Sequence, residues 1–381
     1  MVIVPDRLSA LVAKGEITER YYNPGDLFEE VHLVVMNDDK ADPEALSVTV
    51  GRADLVLHNV PPPRKMFVRT LAFRQALVRR WARAAVELAR RVRPELVRCH
   101  GAWLSAFLGA EIKRVLGVPY VVSVHNIPTE DVLAGADVKT RLRRRAMRPL
   151  EEIALRNADL VLPVYETIVP YLRRLGVTRS RVAYNALNPG LQAKDDCALH
   201  DPARVISVGR LIGGKNPEHL IRAAATLADV QLTVVGDGDL YDYLRAVADE
   251  AGGRVLFRRA VPNDELCRLL REQDIFATHN DYWGLPKAVM EAMLVGLPIV
   301  LNRRQGEPIP ELPPEAAIFV DDTTEGYARA LRTLLDDDAE REARGRRAAE
   351  HAWKLWAPER AERAVADIYA GVMGLDPAKL S

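Results

Sequence analysis

The sequence predicts an α/β protein built as two doubly wound, Rossmann-like domains. Short β-branched runs alternate with longer helical patterns along most of the chain, as expected for parallel strands covered by helices on both faces. The alternation falls into two series, parted by the irregular polar stretch NPGLQAKDDCALHDPA (188–203). A length of 381 residues, 48% hydrophobic and 28% charged, suffices for two cores of ordinary size.

In the first series, strands are expected at 31–37, 53–59, 95–100, 119–126 and 158–164, with a helix over 104–117. Residues 64–98 hold eleven basic and two acidic residues, and a second basic cluster, KTRLRRRAMR, follows at 139–148. Phe67, Leu71, Phe73, Leu77, Val78, Trp81 and Leu88 fall among these arginines at roughly helical spacing, which describes a basic amphipathic helix. Two readings stand side by side. The apolar stripe lies on the domain core under a solvated face, or the surface rests on anionic lipid. Nucleic acid is not expected, because no recognised nucleic-acid module accompanies the charge. The net charge of zero hides a split: residues 1–197 carry 30 Lys+Arg against 23 Asp+Glu, and residues 198–381 carry 23 against 30.

In the second series, strands are expected at 204–210, 230–236, 254–260, 275–280 and 298–302, and helices at 217–228, 240–252 and 264–273. The closing stretch 351–374 reads as one helix. Cys99, Cys197 and Cys267 are odd in number, far apart and without a C-x-x-C, so reduced thiols are expected rather than disulfides or a zinc site. No apolar run approaches the ~18 residues that cross a bilayer, and MVIVPDRLSALVAKGE lacks a signal-peptide layout. The expected place is the cytoplasm, with peripheral attachment to the inner face of the membrane as the second reading.

Open α/β sheets bind ligands beyond the carboxyl ends of their strands, so the loops there carry the candidates. In RVISVGRLIGGKNPEHLIRAAA, a strand ends at Val208–Gly209 and a glycine-containing loop presents Arg210 and Lys215; Asn216 caps a helix that opens with Pro217. Two cations beside a helix N-terminus suit phosphate; the plain alternative is a solvated loop. In VVGDGDLYDYL, Gly236 lets backbone approach a ligand closely. Asp237-Gly238-Asp239 imitates a D-x-D metal motif, but its place between strand and helix favours a loop and cap. In DYWGLPKAVMEAMLVGLPIVLN (281–302), Pro286 suits a helix start, Gly296 its left-handed stop, and Gly284 and Leu285 put N–H groups at the positive end. Glu291 either faces a cleft, where a carboxylate can accept two hydroxyls of a ribose, or forms an exposed pair with Lys287.

VGRL…K, VGDGDLYDYL, IFATHN and GLPKAVMEAMLVGLPIV, in this order, resemble the carboxyl domain of the retaining nucleotide-sugar glycosyltransferases of family 4. The resemblance covers roughly 95–370 and is most specific at 204–302. It implies the GT-B fold, two Rossmann-like domains facing a central cleft. Residues 1–190 would be the acceptor-side domain, 191–350 the nucleotide-sugar domain, and 351–381 a helix crossing back. The resemblance gives Arg210 and Lys215 to the donor diphosphate, and Glu291 to the nucleotide ribose. It gives Gly284 and Leu285 to phosphate and sugar, and counts Gly209, Gly236 and Val261 among the donor contacts. In the first half, VPYVVSVHN nominates His125 to face the donor sugar, and RVAYNALNP places Asn185 where the family commonly has Asn.

Two departures matter. The family motif sets two glutamates around seven residues, and the first contacts the transferred sugar; here Trp283 takes its place. Asp281 is one candidate replacement, an indole stacked on the sugar face a second, and a packed structural aromatic a third. The amino end lacks the usual glycine-rich loop and presents Lys14-Gly15-Glu16, then Arg20, Tyr21 and Tyr22: an acceptor-side pocket or a polar loop. His100 reads as structural. The expected activity is retaining, metal-independent transfer of a sugar from a nucleotide-diphosphate donor to a glycan or lipid-linked hydroxyl acceptor, with no cofactor. A catalytically silent nucleotide-sugar-binding scaffold and a sugar-nucleotide epimerase are the alternatives. Base, sugar, linkage and oligomeric state are not legible.

Overall fold

The computed structural model describes residues 1–62, 75–127, 138–194, 196, 198–282, 284–304 and 308–375, and not the side chains of 75, 76 and 138–146. The chain divides into two compact units: Met1–Ala186 together with Glu359–Ser381, and Leu187–Pro358.

The first unit alternates β1 (Val2–Val4), α1 (Leu8–Ala13), β2 (Glu30–Val35), α2 (Pro43–Leu46), β3 (Asp54–Asn59) and α3 (Gln75–Val92). It continues with β4 (Val97–His100), α4 (Leu104–Leu116), β5 (Tyr120–Val124), α5 (Val138–Arg156), β6 (Leu160–Pro163) and α6 (Val169–Arg174). The second unit runs β7 (Ala203–Val208), α7 (Glu218–Ala225), β8 (Val230–Val235), α8 (Tyr241–Ala251), β9 (Arg254–Arg258) and α9 (Asn263–Arg271). Then follow β10 (Ile275–Thr278), α10 (Lys287–Val295), β11 (Ile299–Asn302), β12 (Ala317–Val320), α11 (Thr324–Asp336) and α12 (Asp338–Trp356). The last helix, α13 (Pro358–Met373), returns to the first unit, where Ile368 and Tyr369 pack with Leu96, Val121 and Leu162.

Each unit holds a six-stranded parallel sheet, ordered β3-β2-β1-β4-β5-β6 in the first and β12-β11-β10-β7-β8-β9 in the second. In both, the strand order reverses between the first and fourth strands: β1 beside β4, and β7 beside β10. A crevice opens there at the carboxyl edge, because the connections on its two sides leave in opposite directions. Central strands are buried on both faces. All four residues of β10 are buried, whereas the edge strand β9 alternates exposed and half-buried positions.

Ten of the twelve strands coincide with expected ones, apart from residues at their ends. Two were not foreseen: β1 is only three residues long, and β12 lies just past the proline-rich stretch 308–314. The helix expected over 351–374 is broken. Ala357 is extended (φ −49, ψ 124), as the residue before Pro358 tends to be, so α12 stops and α13 starts with proline. Similarly, α7 begins at Glu218 with Pro217, not Asn216, at its cap position; Asn216 Oδ1 still accepts from the Glu218 N–H at 3.2 Å.

The carboxyl end of β10 is pinned from α11, where the buried Tyr327 donates its hydroxyl to the Thr278 carbonyl at 3.1 Å. Tyr327→Phe should therefore lower stability by about 1 kcal/mol, the net worth of a buried neutral hydrogen bond. Guanidinium denaturation checks this, and an unchanged midpoint would show that the hydroxyl pins nothing.

Candidate functional site

In the second unit, the loops after β7 and β8 are laced by backbone. Leu211 N–H donates to the Asp237 carbonyl, and Leu240 N–H to the Leu211 carbonyl, both at 2.9 Å. A Cβ on Gly236 would lie 1.9 Å from the Gly209 carbonyl oxygen, and one on Gly238 2.3 Å from that of Leu211. Glycine is thus required for the approach of loop to loop. Asp237 is engaged by Arg259 (2.8 Å) and the Gly238 N–H (2.9 Å), which is the loop reading of that triplet. Val261 lies half-buried past the carboxyl end of β9.

This lacing holds the 209–216 loop at the crevice between β7 and β10. Arg210 is exposed there and has no hydrogen-bond or ion-pair partner among the described residues. Lys215 sits with its Nζ 5.6 Å from the centre of the Tyr282 ring. The far wall is the loop after β10. Asp281 N–H donates to the Gly214 carbonyl (2.8 Å), and the Tyr282 hydroxyl to that of Gly213 (3.0 Å). The cation loop and the 281–285 loop are therefore one bonded assembly.

Beneath them lies a buried polar layer that the sequence did not reveal. His279 Nδ1 accepts from the Asn216 N–H at 3.1 Å. That bond assigns the proton to Nε2, which lies 3.2 Å from Asp322 and 3.4 Å from Asp281. Asn302 donates to Asp281 at 2.9 Å and accepts from the Asn280 N–H at 2.7 Å. The Asn280 amide donates to the carbonyls of Tyr282 and Gly284. Leu285 is buried and Gly284 half-buried at the entry to α10.

Glu291 is 1% exposed, so the exposed pair with Lys287 is not what forms. The Lys287 Nζ, itself 37% exposed, lies 3.4 Å from Oε1, and Asn263 donates to the same oxygen at 2.9 Å. Asn263 is held in turn by Asn188 at 3.2 Å. A second neighbour of the glutamate, the Cys267 thiol, is pushed up to about 12, by burial first and by the charge of Glu291 second. Trp283 lies outside the described residues, as does Cys197.

In the first unit, His125 follows β5 and His100 ends β4, with their rings stacked at 5.7 Å and 17°. Tyr21 and Tyr22 enclose His100 at 5.5 and 5.6 Å, and the buried Arg98 lies 5.2 Å over the Tyr21 ring. Arg98 has no carboxylate partner among the described residues; its Nη1 donates to the Tyr21 carbonyl. The Nε2 atoms of both histidines are closed to solvent and unpartnered. Asn185 stands beside His125 and bonds the Tyr165 hydroxyl at 3.3 Å. Tyr21 and Tyr22 thus join the two histidines, while Lys14-Gly15-Glu16 forms the turn that follows α1, with Gly15 in the left-handed region (φ 63). Of the basic stretch 64–98, residues 63–74 lie outside the described residues, and so do the side chains of 139–146. In the described part, α3 buries Val78, Trp81 and Leu88 in the unit core and turns Arg79, Arg80, Arg83, Arg90 and Arg91 outward.

Burial, and then the nearby Arg98 guanidinium, lower the His125 pKa from 6.5 to about 4 against the opposing pull of Asn185. A depressed histidine contributes stability that is whole above pH 6.5 and lost as pH falls through about 4. NMR titration should show the His125 ring neutral from pH 7 to near 5, protonating only around pH 4. A midpoint near the ordinary value would show that the ring is not sealed as described.

Residues 25–187 match the model of the glycosyl transferase 4-like domain, and residues 194–351 that of glycosyl transferases group 1. An uncharacterized glycosyltransferase of Methanocaldococcus jannaschii is 26% identical over 228 residues, covering 55% of this chain and 57% of that one. The amylovoran biosynthesis glycosyltransferase AmsK of Erwinia amylovora is 36% identical over 174 residues, 42% of this chain and 41% of that one. The chain thus spans about half the length of these two relatives. Among solved structures, Anabaena HepE in complex with UDP and glucose superposes with a TM-score of 0.70 at 16% identity, covering 97% of this chain and 98% of that one. The fold is accordingly that of the GT-B glycosyltransferases. The two halves of the chain thus match, one after the other, a glycosyl transferase 4-like domain and a glycosyl transferases group 1 domain.

Proposed function

We propose that the chain is a retaining, metal-independent glycosyltransferase that moves a sugar from a nucleotide-diphosphate sugar to a hydroxyl acceptor. The observation that carries this is the exposed, unpartnered Arg210 guanidinium on the loop at the β7–β10 crevice, beside Lys215. An exposed guanidinium with no carboxylate partner among the described residues, on a loop whose backbone is fixed by bonding, suits a diphosphate. As the bond between the sugar carbon and the diphosphate oxygen breaks, negative charge grows on the leaving group. Arg210, Lys215 and the N–H groups entering α10 stabilise it where it develops. Glu291 is assigned to the ribose hydroxyls and His125, as a neutral ring, to orienting the sugar. No protein nucleophile is assigned: the acceptor hydroxyl attacks from the face the leaving group departs. HepE was solved with UDP and glucose, and AmsK serves amylovoran biosynthesis; both accord with a nucleotide-sugar donor and a glycan product.

Arg210→Ala should lower kcat/KM roughly 100- to 1000-fold, the cost of removing one charge-stabilising donor. Transfer and hydrolysis assays with UDP-glucose and GDP-mannose measure it, and wild-type activity in the variant would remove Arg210 from this role. A lipid-linked acceptor in a cell-surface pathway accords with the outward arginines of α3. Salt-sensitive co-sedimentation with phosphatidylglycerol vesicles is then expected. Equal pelleting with phosphatidylcholine would exclude an electrostatic attachment.

A further inference from the structure

We infer that Asp281, set in place by Asn302 and His279, is the carboxylate that receives hydroxyls of the transferred sugar, a place the sequence motif gives to Trp283. The inference rests on the donor-site reading above and names the sugar-side residue of that same site.

Asp281 lies at the carboxyl edge of β10, directly on the crevice, and its N–H is bonded to the cation loop through Gly214. Its side chain is 56% exposed, whereas the residues that hold it are buried: His279 at 5%, Asn280 at 1% and Asn302 at 2%. Three polar side chains withdrawn from water are costly unless bonded. Here Asn302 bonds the exposed carboxylate, Asn280 bonds the turn that carries it, and His279 accepts from the Asn216 N–H while its ring lies 3.4 Å from the carboxylate. The two Asn280 bonds, to the carbonyls of Tyr282 and Gly284, fold the chain back after Asp281.

The bonding of the carboxylate is one-sided. Asn302 and His279 both approach Oδ1, while Oδ2 accepts no hydrogen bond among the described residues. An ionised carboxylate has room for several donors, and sugar hydroxyls are donors of suitable size and charge. His279 acts through Asp281 and is a positioning residue. With Nδ1 committed to the Asn216 N–H, its Nε2 lies 3.4 Å from Asp281 and 3.2 Å from Asp322, near enough to both carboxylates to hold them by charge but in hydrogen bond to neither. One ring thus fixes the distance between the loop bearing Lys215 and the sugar-side carboxylate.

The test compares affinities for UDP and UDP-glucose, and for GDP and GDP-mannose, in the full chain by titration calorimetry, with melting temperatures as a folding control. Asp281→Asn should leave nucleoside-diphosphate affinity as in wild type and weaken the matching nucleotide sugar roughly 10- to 100-fold, the worth of hydrogen bonds to a charged group. His279→Asn keeps an acceptor for Asn216 and loses the proton donor, so it should shift the same ratio in the same direction. His279→Gln keeps a donor at the reach of Nε2 and should restore the ratio. A residue that only supports the fold would move the melting temperature and both affinities together. An unchanged ratio in Asp281→Asn would overturn the assignment, and equal damage from both His279 variants at normal melting would overturn the positioning role. Failure of the wild-type chain to bind any of the four probes would overturn the donor-site reading itself.

Discussion

The second unit's site depends on one contact of backbone with backbone, Gly236 against the Gly209 carbonyl. A Cβ at Gly236 would fall 1.9 Å from that oxygen, inside any allowed approach, so only glycine lets the loops after β7 and β8 close together. Once closed, the Leu211–Asp237 and Leu240–Leu211 bonds fix the path of the chain from 209 to 211. Arg210 has no choice but to project outward between them. The backbone is thus fixed before an anion arrives, and only the exposed Arg210 side chain has freedom left to lose on binding. The adjacent Lys215 is placed differently, through Gly213 and Gly214, whose carbonyls accept from Tyr282 and Asp281.

The two crevices share a topology and differ in chemistry. At the β7–β10 crevice, buried histidine and asparagines support exposed charges, and every support reaches the loops through a hydrogen bond. At the β1–β4 crevice, aromatic rings enclose a guanidinium that no described carboxylate neutralises. Arg98 there lies between the rings of Tyr21 and Tyr369, at 5.2 and 5.6 Å, and its charge falls on His100 and His125. Burial and that charge act in the same direction, so both imidazoles stay neutral where free histidine would be partly protonated. A neutral ring can donate from one nitrogen and accept at the other, which suits a hydroxyl-rich ligand better than an imidazolium does. The first crevice is thus lined by neutral imidazoles around a buried guanidinium, and the second by exposed charges on a buried polar support.

What the sequence disclosed follows from the range of the interaction involved. Arg210 and Lys215 were legible because a strand end, glycines and a helix start within a dozen residues fix where both cations go. The order of the strands was legible in outline, since β-branched runs and helices alternate; β1 and β12 escaped because three or four residues carry no period. Lys14-Gly15-Glu16 left a pocket and a polar loop both open because a glycine beside charges fits either, and here that glycine is the left-handed turn after α1. Glu291 was recognised as a residue, but not its surroundings. Its partner Asn263 is 28 positions away, and burial to 1% is a property of the packed unit. His279 illustrates the limit best. Its role depends on Asn216, 63 residues earlier, and on Asp322, 43 residues later, and no local pattern announces either.

Glu291 and Asp281 differ in what holds them, and that difference underlies the proposal that a two-carboxylate motif can lose one member in sequence without losing it in space. Glu291 projects from a helix, and its position is set by the helix and by Asn263 and Lys287; a residue one turn away could not take its place. Its burial also demands that its charge be matched, since an isolated buried carboxylate is far costlier than a paired one. The sugar-side position is under no such rule. It lies on a loop, where direction is set by which carbonyls and amides the turn bonds to. A shift of two residues there costs only the side chains that hold the new turn. His279, Asn280 and Asn302 are those side chains, and Asn280 and Asn302 have no task on the crevice surface. On the proposed assignment their burial has a reason: without Asp281 and its turn to hold, polar groups at the ends of β10 and β11 would be better replaced by apolar ones of the same size.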